Sequence, residues 1–359
     1  ARVALFEGTW RKFRNEDGAN EYMDIALEAA NAVINSGQYG LFTGAGAESY
    51  LKLFDEQGDN TPECILDRRY ESLVNGHDFT YRMQLNGFLP TKRLADMYLC
   101  TDGLPVDRSP LFQGYEKRTS EFENRDPRMT QTIMIPGTLS YAYLHSGQIE
   151  NWPFYPQGVY TTGYIIYKYV LQNPDYQMPP YNRQQTSDRH IIRYAEVLLI
   201  LAEALYEKNG SISDDDLNKT VNLLRQRAGM PTPLTNAFVT ANGLNMRDEL
   251  RRERTVELAL EGFRRDDLRR WKTAETELVK AIRGIKIVGT EWTEPILVAG
   301  EDKNPYGLEA WQSRADAEGF LIGEAASARA NFNPAKHYLL PLPAKEIQLN
   351  PNLQQNPGW

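Results

Sequence analysis

The sequence contains no run of about 18 or more apolar residues, the length a membrane-crossing helix needs. Its longest apolar stretch, Val197–Leu201, is flanked by Glu196 and Glu203, so a soluble globular fold is expected. Cysteine is scarce. Cys64 and Cys100 lack CxxC spacing and have no His close by in sequence, which removes a disulfide framework and a zinc finger. Two free, buried thiols are the expected state, in preference to a single bridge between them. The four histidines, His77, His145, His190 and His337, are scattered without an HExxH pair. GxSxG nucleophile elbows, P-loops and Rossmann glycine patterns are also missing. An excess of positive charge is lacking too, since the net charge is −8. The Lys and Arg residues between Arg247 and Lys272 alternate with Glu and Asp. An unbalanced basic face is therefore not expected, nor nucleic acid or another polyanion as partner. The chain opens Ala1-Arg2-Val3-Ala4-Leu5-Phe6, like the middle of a helix, without a charged leader or cleavage site. An upstream portion carrying any targeting signal or lipid anchor is expected.

What is present is an ordinary globular balance, 41% hydrophobic and 25% charged, in a chain large enough to bury a sizeable core. Periodicity predicts helices over Arg2–Phe13 and Tyr22–Ser36, the second with Ile25, Ala26, Ala29, Val33 and Ile34 facing inward and Gly37 as its stop. Together they form an αα-hairpin. The helical signal weakens from Leu41 to Pro90 and returns at Pro90 or Thr91, ending before Asp102-Gly103. Leu104–Tyr181 is rich in Pro, Gly and aromatics and reads as long structured loops with short strands at Gln131–Ile135 and Gly163–Tyr169. Further helices are predicted over His190–Lys208, Asp214–Gly229, Met246–Glu261 and Asp266–Gly284, with Ser213 and Asp216 close to a capping box. The remainder, Ile285–Trp359, reads as mostly irregular.

Several segments follow one another in a familiar order. They are Pro90-Thr91 with Leu94-Ala95, Thr101-Asp102-Gly103-Leu104-Pro105, and Asn124-Arg125-Asp126-Pro127-Arg128. Next come Arg193-Tyr194-Ala195-Glu196-Val197-Leu198-Leu199 and Leu224-Arg225-Gln226-Arg227-Ala228-Gly229. Arg252-Glu253-Arg254-Thr255-Val256-Glu257-Leu258-Ala259 with Glu261-Gly262-Phe263-Arg264 and Asp267-Leu268-Arg269-Arg270-Trp271 is the most specific of them. Leu340-Pro341-Leu342-Pro343 and Asn350-Pro351-Asn352-Leu353 close the chain. In this order the segments resemble the SusD/RagB family of outer-membrane nutrient-binding lipoproteins, with the family's amino-terminal portion absent. The resemblance implies a mostly α-helical SusD-like fold with tetratricopeptide-like helical hairpins and long aromatic-rich loops. It implies one domain over 1–359: hairpin helices in 1–42, a loop-rich ligand-facing region in 43–186, a helical block in 187–284 and an irregular region in 285–359. It further implies a receptor on the cell surface at the outer membrane, anchored only through an upstream lipid. Such a receptor hands oligosaccharide, or alternatively peptide or another nutrient, to a SusC-like TonB-dependent transporter.

Candidate chemistry is read residue by residue. Glu253, Glu257 and Glu261 recur every four positions and would line one helix face, as a hard-metal or acid/base site would need. The arginines around them, Arg251, Arg252, Arg254, Arg264, Arg265, Arg269 and Arg270, favour a structural ion-pair network instead. No local pair of carboxylates stands out as a glycosidase pair, and a non-catalytic protein is expected. Sugar rings present apolar C–H faces on which flat side chains stack, with polar groups beside them for the hydroxyls. Trp152, Tyr155 and Tyr160, with Asn151, are the leading binding candidates, and Phe79 and Tyr81 form a second group. Tyr164, Tyr167 and Tyr169 alternate and are expected to pack inward. No cofactor is expected. The resemblance leaves room for structural calcium, but Asp55, Asp59, Asn60 and Glu63 do not follow the EF-hand order and read as a solvated acidic turn. The rival classes are a glycan-degrading enzyme and a scaffold that binds only protein.

Overall fold

The computed structural model describes residues 1–72, 74–79, 89–138, 162–171, 185–295, 297–298, 300–302 and 304–359. Helices Arg2–Lys12 and Ala19–Asn35 form the expected hairpin. Leu5, Met23, Ala26 and Ala30 close against Val197, Ile200, Leu201 and Ala204 of a third helix, Tyr194–Asn209. The inward stripe of the second helix is displaced from the expected one, since Ile25 is exposed and Met23 is buried. Helix Tyr194–Asn209 is enclosed on almost every side, which its near-continuous apolar sequence requires. Its carboxylates survive burial because each has a cation. Arg2 Nε donates to Glu196 at 2.6 Å, Arg270 Nη2 and Trp271 Nε1 donate to Glu203 at 2.7 and 2.6 Å, and Arg247 Nε donates to Glu207 at 2.8 Å.

Several local expectations are corrected. Residues 190–193 belong to a strand, Arg189–Arg193, paired antiparallel with Cys64–Arg68, because the β-branched Ile191 and Ile192 meet a partner strand there. Gln131–Ile135 is not a strand. Asp126 caps a helix over Pro127–Thr132 through the amide of Arg128 (2.9 Å), with Pro127 in the first turn where its missing N–H costs nothing. Gly163–Tyr169 keeps only an isolated bridge between Ile166 and Ile133, although Tyr164 packs into the core as expected. Asp214–Gly229 divides at Thr220, whose hydroxyl bonds the carbonyl of Asp216 at 2.6 Å in competition with the helix ladder. The Ser213 cap is observed, with its hydroxyl accepting from the amide of Asp216 at 3.0 Å. The arginine-rich helix stops at Glu257, and Leu260 turns the chain with φ 65°. Asp266–Gly284 becomes helix Arg264–Arg270, one turn at Ala274–Glu277 and strand Ile282–Lys286, which pairs antiparallel with Phe320–Glu324. Gly284 lets that strand lie against Thr162, since a Cβ there would sit 2.0 Å from the Thr162 carbonyl oxygen.

The three recurring glutamates are the hub of the packing. Glu253, Glu257 and Glu261 have side chains at most 3% exposed, and every one is paired. Arg128 Nη1 bridges Glu253 (2.6 Å) and Glu257 (2.9 Å) while its Nη2 holds Asp126 at 2.7 Å. Arg193 forks onto Glu261 at 2.7 Å through Nε and Nη2, and its Nη1 reaches Glu63 at 2.8 Å and Glu257 at 2.7 Å. Arg225 adds Glu253 at 3.0 Å, Arg227 adds Glu257 and Glu63, and Lys168 adds Glu261 at 2.8 Å. Five cations meet five carboxylates. The network is structural, as the sequence predicts, but its cations are not the neighbouring arginines. Arg252 pairs with Glu249, Arg254 with Asp267, and Arg270 with Glu203 and Asp267. Glu63 is thereby fully buried and is no part of a solvated acidic turn, whereas Asp55, Asp59 and Asn60 remain partly or fully exposed. Asp55 caps a short turn through the amide of Gln57 and Asp59 accepts from the amide of Asp188.

Removing one partner from such a cluster leaves a buried charge unneutralised, at a cost of about 3–5 kcal/mol. Glu257→Ala is expected to lose that much in urea denaturation, whereas Lys219→Ala, in an exposed pair with Asp215, is expected to leave the unfolding midpoint nearly unchanged. Acid titration gives a second check. Burial alone would raise Glu257 and Glu261, but Arg227, Arg193 and Arg128 hold the first well below 4.5, and Arg193 and Lys168 hold the second below it. Folded chains thus bind these protons more weakly than unfolded ones. The stability they contribute is present above the unfolded value near 4.5 and is lost as pH falls through the lower folded values. The melting temperature is expected to drop on acidification below about pH 4.5, and a rise there contradicts the account.

Candidate functional site

Thr91 caps helix Lys92–Met97 by accepting from the amide of Leu94 at 3.3 Å, and this helix forms one wall of a groove of about 2050 Å³. The Asp102-Gly103-Leu104-Pro105 segment is a turn. Gly103 takes φ 83°, Asp102 accepts from the amide of Leu104 at 3.0 Å and from the hydroxyl of Ser109 at 2.7 Å, and the chain continues to Phe112 and Tyr115 on the same wall. Tyr115 lies edge-to-face with Phe112 (5.1 Å) and with Phe320 of the opposite strand (5.3 Å). Lys92 Nζ donates to the Tyr115 hydroxyl at 2.8 Å and rests 4.9 and 5.1 Å from the Tyr115 and Phe320 ring centres. Arg283 and Lys286 lie over the Phe320 ring at 5.5 and 5.6 Å. These cation–π contacts fix charged groups beside the partly exposed Tyr115 and the buried Phe320.

Phe79 stands at another part of the groove lining. It is tilted onto His77 (4.3 Å), which packs edge-on to Tyr70 (4.6 Å), and Arg189 lies 5.9 Å from its centre. The His77 ring is fixed by two bonds. Its Nε2 bonds the Ser187 carbonyl (3.0 Å), and its Nδ1 accepts from the amide of Phe79 (3.1 Å). Between these aromatic groups lies the turn and helix from Leu258 to Leu268.

The electrostatics of the lining were not apparent from the chain's charge. Among the described residues, eleven Lys and Arg and six Asp and Glu line the groove, in a protein whose net charge is −8. Basic residues that alternate with acids along the sequence stay paired with them in space, Arg252 with Glu249 and Arg254 and Arg270 with Asp267, while Arg264 and Arg265 line the groove. Glu253, Glu257 and Glu261 turn inward to the buried cluster, while Asp267 lines the groove together with Arg264 and Arg265. Arg264 donates to the hydroxyl of Thr255 (3.0 Å), and burial together with Arg93 and Arg251 pushes its guanidinium down to about 10. Asp267, a groove carboxylate, is opposed by burial but held low by Arg254 and Arg270. Glu121, whose carboxyl is raised by burial, accepts from the Tyr164 hydroxyl at 2.6 Å and does not line the groove. A glycosidase needs a raised general acid beside its partner in the cleft, and these two carboxyls do not supply one.

Of the sequence-based binding candidates, Phe79 lies on the groove, while Tyr81, Asn151, Trp152, Tyr155 and Tyr160 lie outside the described residues. Sequence reasoning missed Phe112, Tyr115, Phe320 and the lining arginines. Aromatic density around Phe112 and Tyr115 was a usable signal, whereas Phe320 joins them across about 200 residues of sequence. No helix among the described residues is long and apolar enough to cross a membrane.

A family model described as the SusD family matches residues 56–359. A curated relative, SusD-like protein P2 of Formosa agariphila, is 33% identical over 184 residues, which is 50% of this chain and 27% of the relative. Among solved structures, a SusD-like carbohydrate binding protein from Bacteroides fragilis superposes with a TM-score of 0.69 at 21% identity, covering 98% of this chain and 63% of that one. Surface glycan-binding protein A from Bacteroides thetaiotaomicron, solved in complex with laminarihexaose, gives a TM-score of 0.50 at 20% identity and covers 99% and 63%. At these identities the structural likeness is one of fold. The chain spans 27% of the length of the curated relative and 63% of these two structures.

Proposed function

Because the chain belongs to the SusD family, we propose that it captures oligosaccharide non-covalently at the cell surface and passes it to a SusC-like TonB-dependent transporter in the outer membrane. The observation that carries this reading is the groove of about 2050 Å³ with half-buried rings beside fixed cations. Pockets for small molecules run to about 300–1,000 Å³, so the groove suits a chain of sugars. Phe79, Phe112 and Tyr115 offer ring surface to C–H faces, and the polar tips and cations beside them offer donors to hydroxyls. Trp152, Tyr155, Tyr160, Asn151 and Tyr81 are proposed as further contacts. The relative solved with laminarihexaose supports a sugar as cargo.

The charge of the groove narrows the reading. Guanidinium groups pair with carboxylate and sulfate in bidentate fashion, so the excess of cations favours glycans bearing those groups over neutral ones. A receptor that must release its cargo works at micromolar to millimolar affinity, about −8 to −4 kcal/mol. It also leaves the glycosidic bond intact.

Calorimetry with neutral laminarihexaose and with uronate-containing and sulfated oligosaccharides tests this, with mass spectrometry of the sugars afterwards. Binding in that range with no cleavage is expected, tighter for the acidic sugars and weaker as salt rises. Tyr115→Ala is expected to weaken it about two- to tenfold, from the roughly 0.5–1.5 kcal/mol of an aromatic contact. Cleaved products, or binding of peptides and no glycan, would refute the proposal.

A further inference from the structure

Cys64, Asp67 and His190 meet across a two-stranded sheet. In an even strand, residues three apart point to opposite faces. Two register shifts, between Cys64 and Leu66 and between Leu66 and Asp67, break that alternation. Bulges of this kind re-aim side chains, and here they turn Cys64 and Asp67 toward His190, which stands directly opposite Asp67 on the partner strand. The Nδ1 of His190 lies 2.7 Å from Asp67 Oδ1 and 3.2 Å from Cys64 Sγ. All three donor atoms fall within 4.8 Å of one another. Bonds of about 2.0–2.3 Å to one central ion can span that distance.

The orientation of the imidazole is set from behind. Its Nε2 is 2.6 Å from the carbonyl oxygen of Leu53, which can only accept, so Nε2 carries a hydrogen and Nδ1 is the nitrogen turned to the carboxylate and the thiol. A backbone carbonyl that orients a histidine in this way is the usual outer partner of a metal-bound imidazole. A proton on Nδ1 is contested by two acceptors, whereas a divalent ion bonds nitrogen, oxygen and sulfur together. The His190 ring and the Asp67 carboxylate are largely covered, at 1% and 9% exposure, and Cys64 is partly buried.

We propose that Cys64, Asp67 and His190 form a binding site for a divalent transition-metal ion of the zinc class, with water in the fourth position. Thiolate with imidazole selects such an ion over calcium or magnesium, which prefer oxygen ligands alone. On binding, the Cys64 thiol and any Nδ1–H of His190 release their protons to water, and the metal takes the thiolate sulfur, the Nδ1 lone pair and the carboxylate oxygen. The ion ties strand Cys64–Arg68 to strand Arg189–Arg193. The same two chain segments continue to the His77–Gln185 bridge beside Phe79, so the metal stiffens the base from which that part of the groove is built. The site does not depend on what the groove binds.

Cobalt(II) titration of the reduced, intact chain, followed by displacement with zinc(II), tests the proposal. One equivalent of cobalt is expected to give a thiolate-to-cobalt charge-transfer band with the visible bands of a four-coordinate ion, and zinc to abolish both. Zinc is also expected to shield Cys64 from a thiol reagent. Cys64→Ala is expected to lose the charge-transfer band, and Asp67→Asn to weaken binding at least about tenfold, each with an unchanged circular dichroism spectrum. If His190→Gln fails to fold, these two variants still decide the matter. No charge-transfer band at equimolar cobalt, or Cys64→Ala binding cobalt as tightly as the native chain, overturns the site.

Discussion

The fold depends on keeping ten charges neutral in a place without water. Arg193 and Glu257 sit at the centre of that cluster, and between them they join a strand, the arginine-rich helix and the turn beyond it. Arg128 brings in a third region and Lys168 a fourth, the latter also bonding the Tyr50 hydroxyl at 2.9 Å and the Ala259 carbonyl at 2.8 Å. A buried ion pair is weak evidence for net stability, because desolvation offsets much of the attraction. Its stronger consequence is specificity. A fork-shaped guanidinium such as that of Arg193, bonded through Nε, Nη1 and Nη2, admits one arrangement of the segments that reach it. Apolar clusters on either side of the network supply the burial term, and the network sets how they are joined.

That arrangement bears on the groove. Carboxylates from the arginine-rich region are drawn inward, to Arg128, Arg193, Arg225 and Arg227. Cations such as Arg264 and Arg265 are left along the open side. A protein acidic as a whole thereby lines this groove with more cations than carboxylates, several of the cations held by acids at its edge. The ring-and-cation wall of Lys92, Tyr115 and Phe320 supplies flat surface in the same concavity. The motifs that mark the family serve the scaffold. Asp102-Gly103 makes a turn, Asp126-Pro127 starts a helix, and Arg125 holds the carbonyls of Ala95 and Tyr98.

Local physics was legible in the sequence wherever the cause was local. The Ser213 cap, the Thr91 helix start and the buried helix after Tyr194 each follow from residues within a turn or two. The i, i+4 spacing of Glu253 and Glu257 also pointed correctly to an ion-pair network. Its partners were not legible, because Arg128 and Arg193 lie 125 and 64 residues from the glutamates they meet. The same limit hid the groove, whose Tyr115 and Phe320 come together only through strand pairing at Ile282–Lys286. It also hid His190 beside Cys64, 126 residues away, which the search for a nearby histidine in sequence could not see. Apolar period misled at 190–193, where a helical stripe and a short β-branched strand look alike until a partner strand decides between them.

A crystal structure of the chain with a bound acidic oligosaccharide tests the central claim most directly, that charges sealed inside hold the scaffold while rings and cations outside hold the ligand. The account predicts an uncleaved sugar lying along the groove, with its rings against Phe79 or Tyr115, its anionic groups on the lining arginines, and the Glu253–Glu257–Glu261 cluster dry and unmoved. A sugar contacting those glutamates, or density for a broken glycosidic bond, would contradict it.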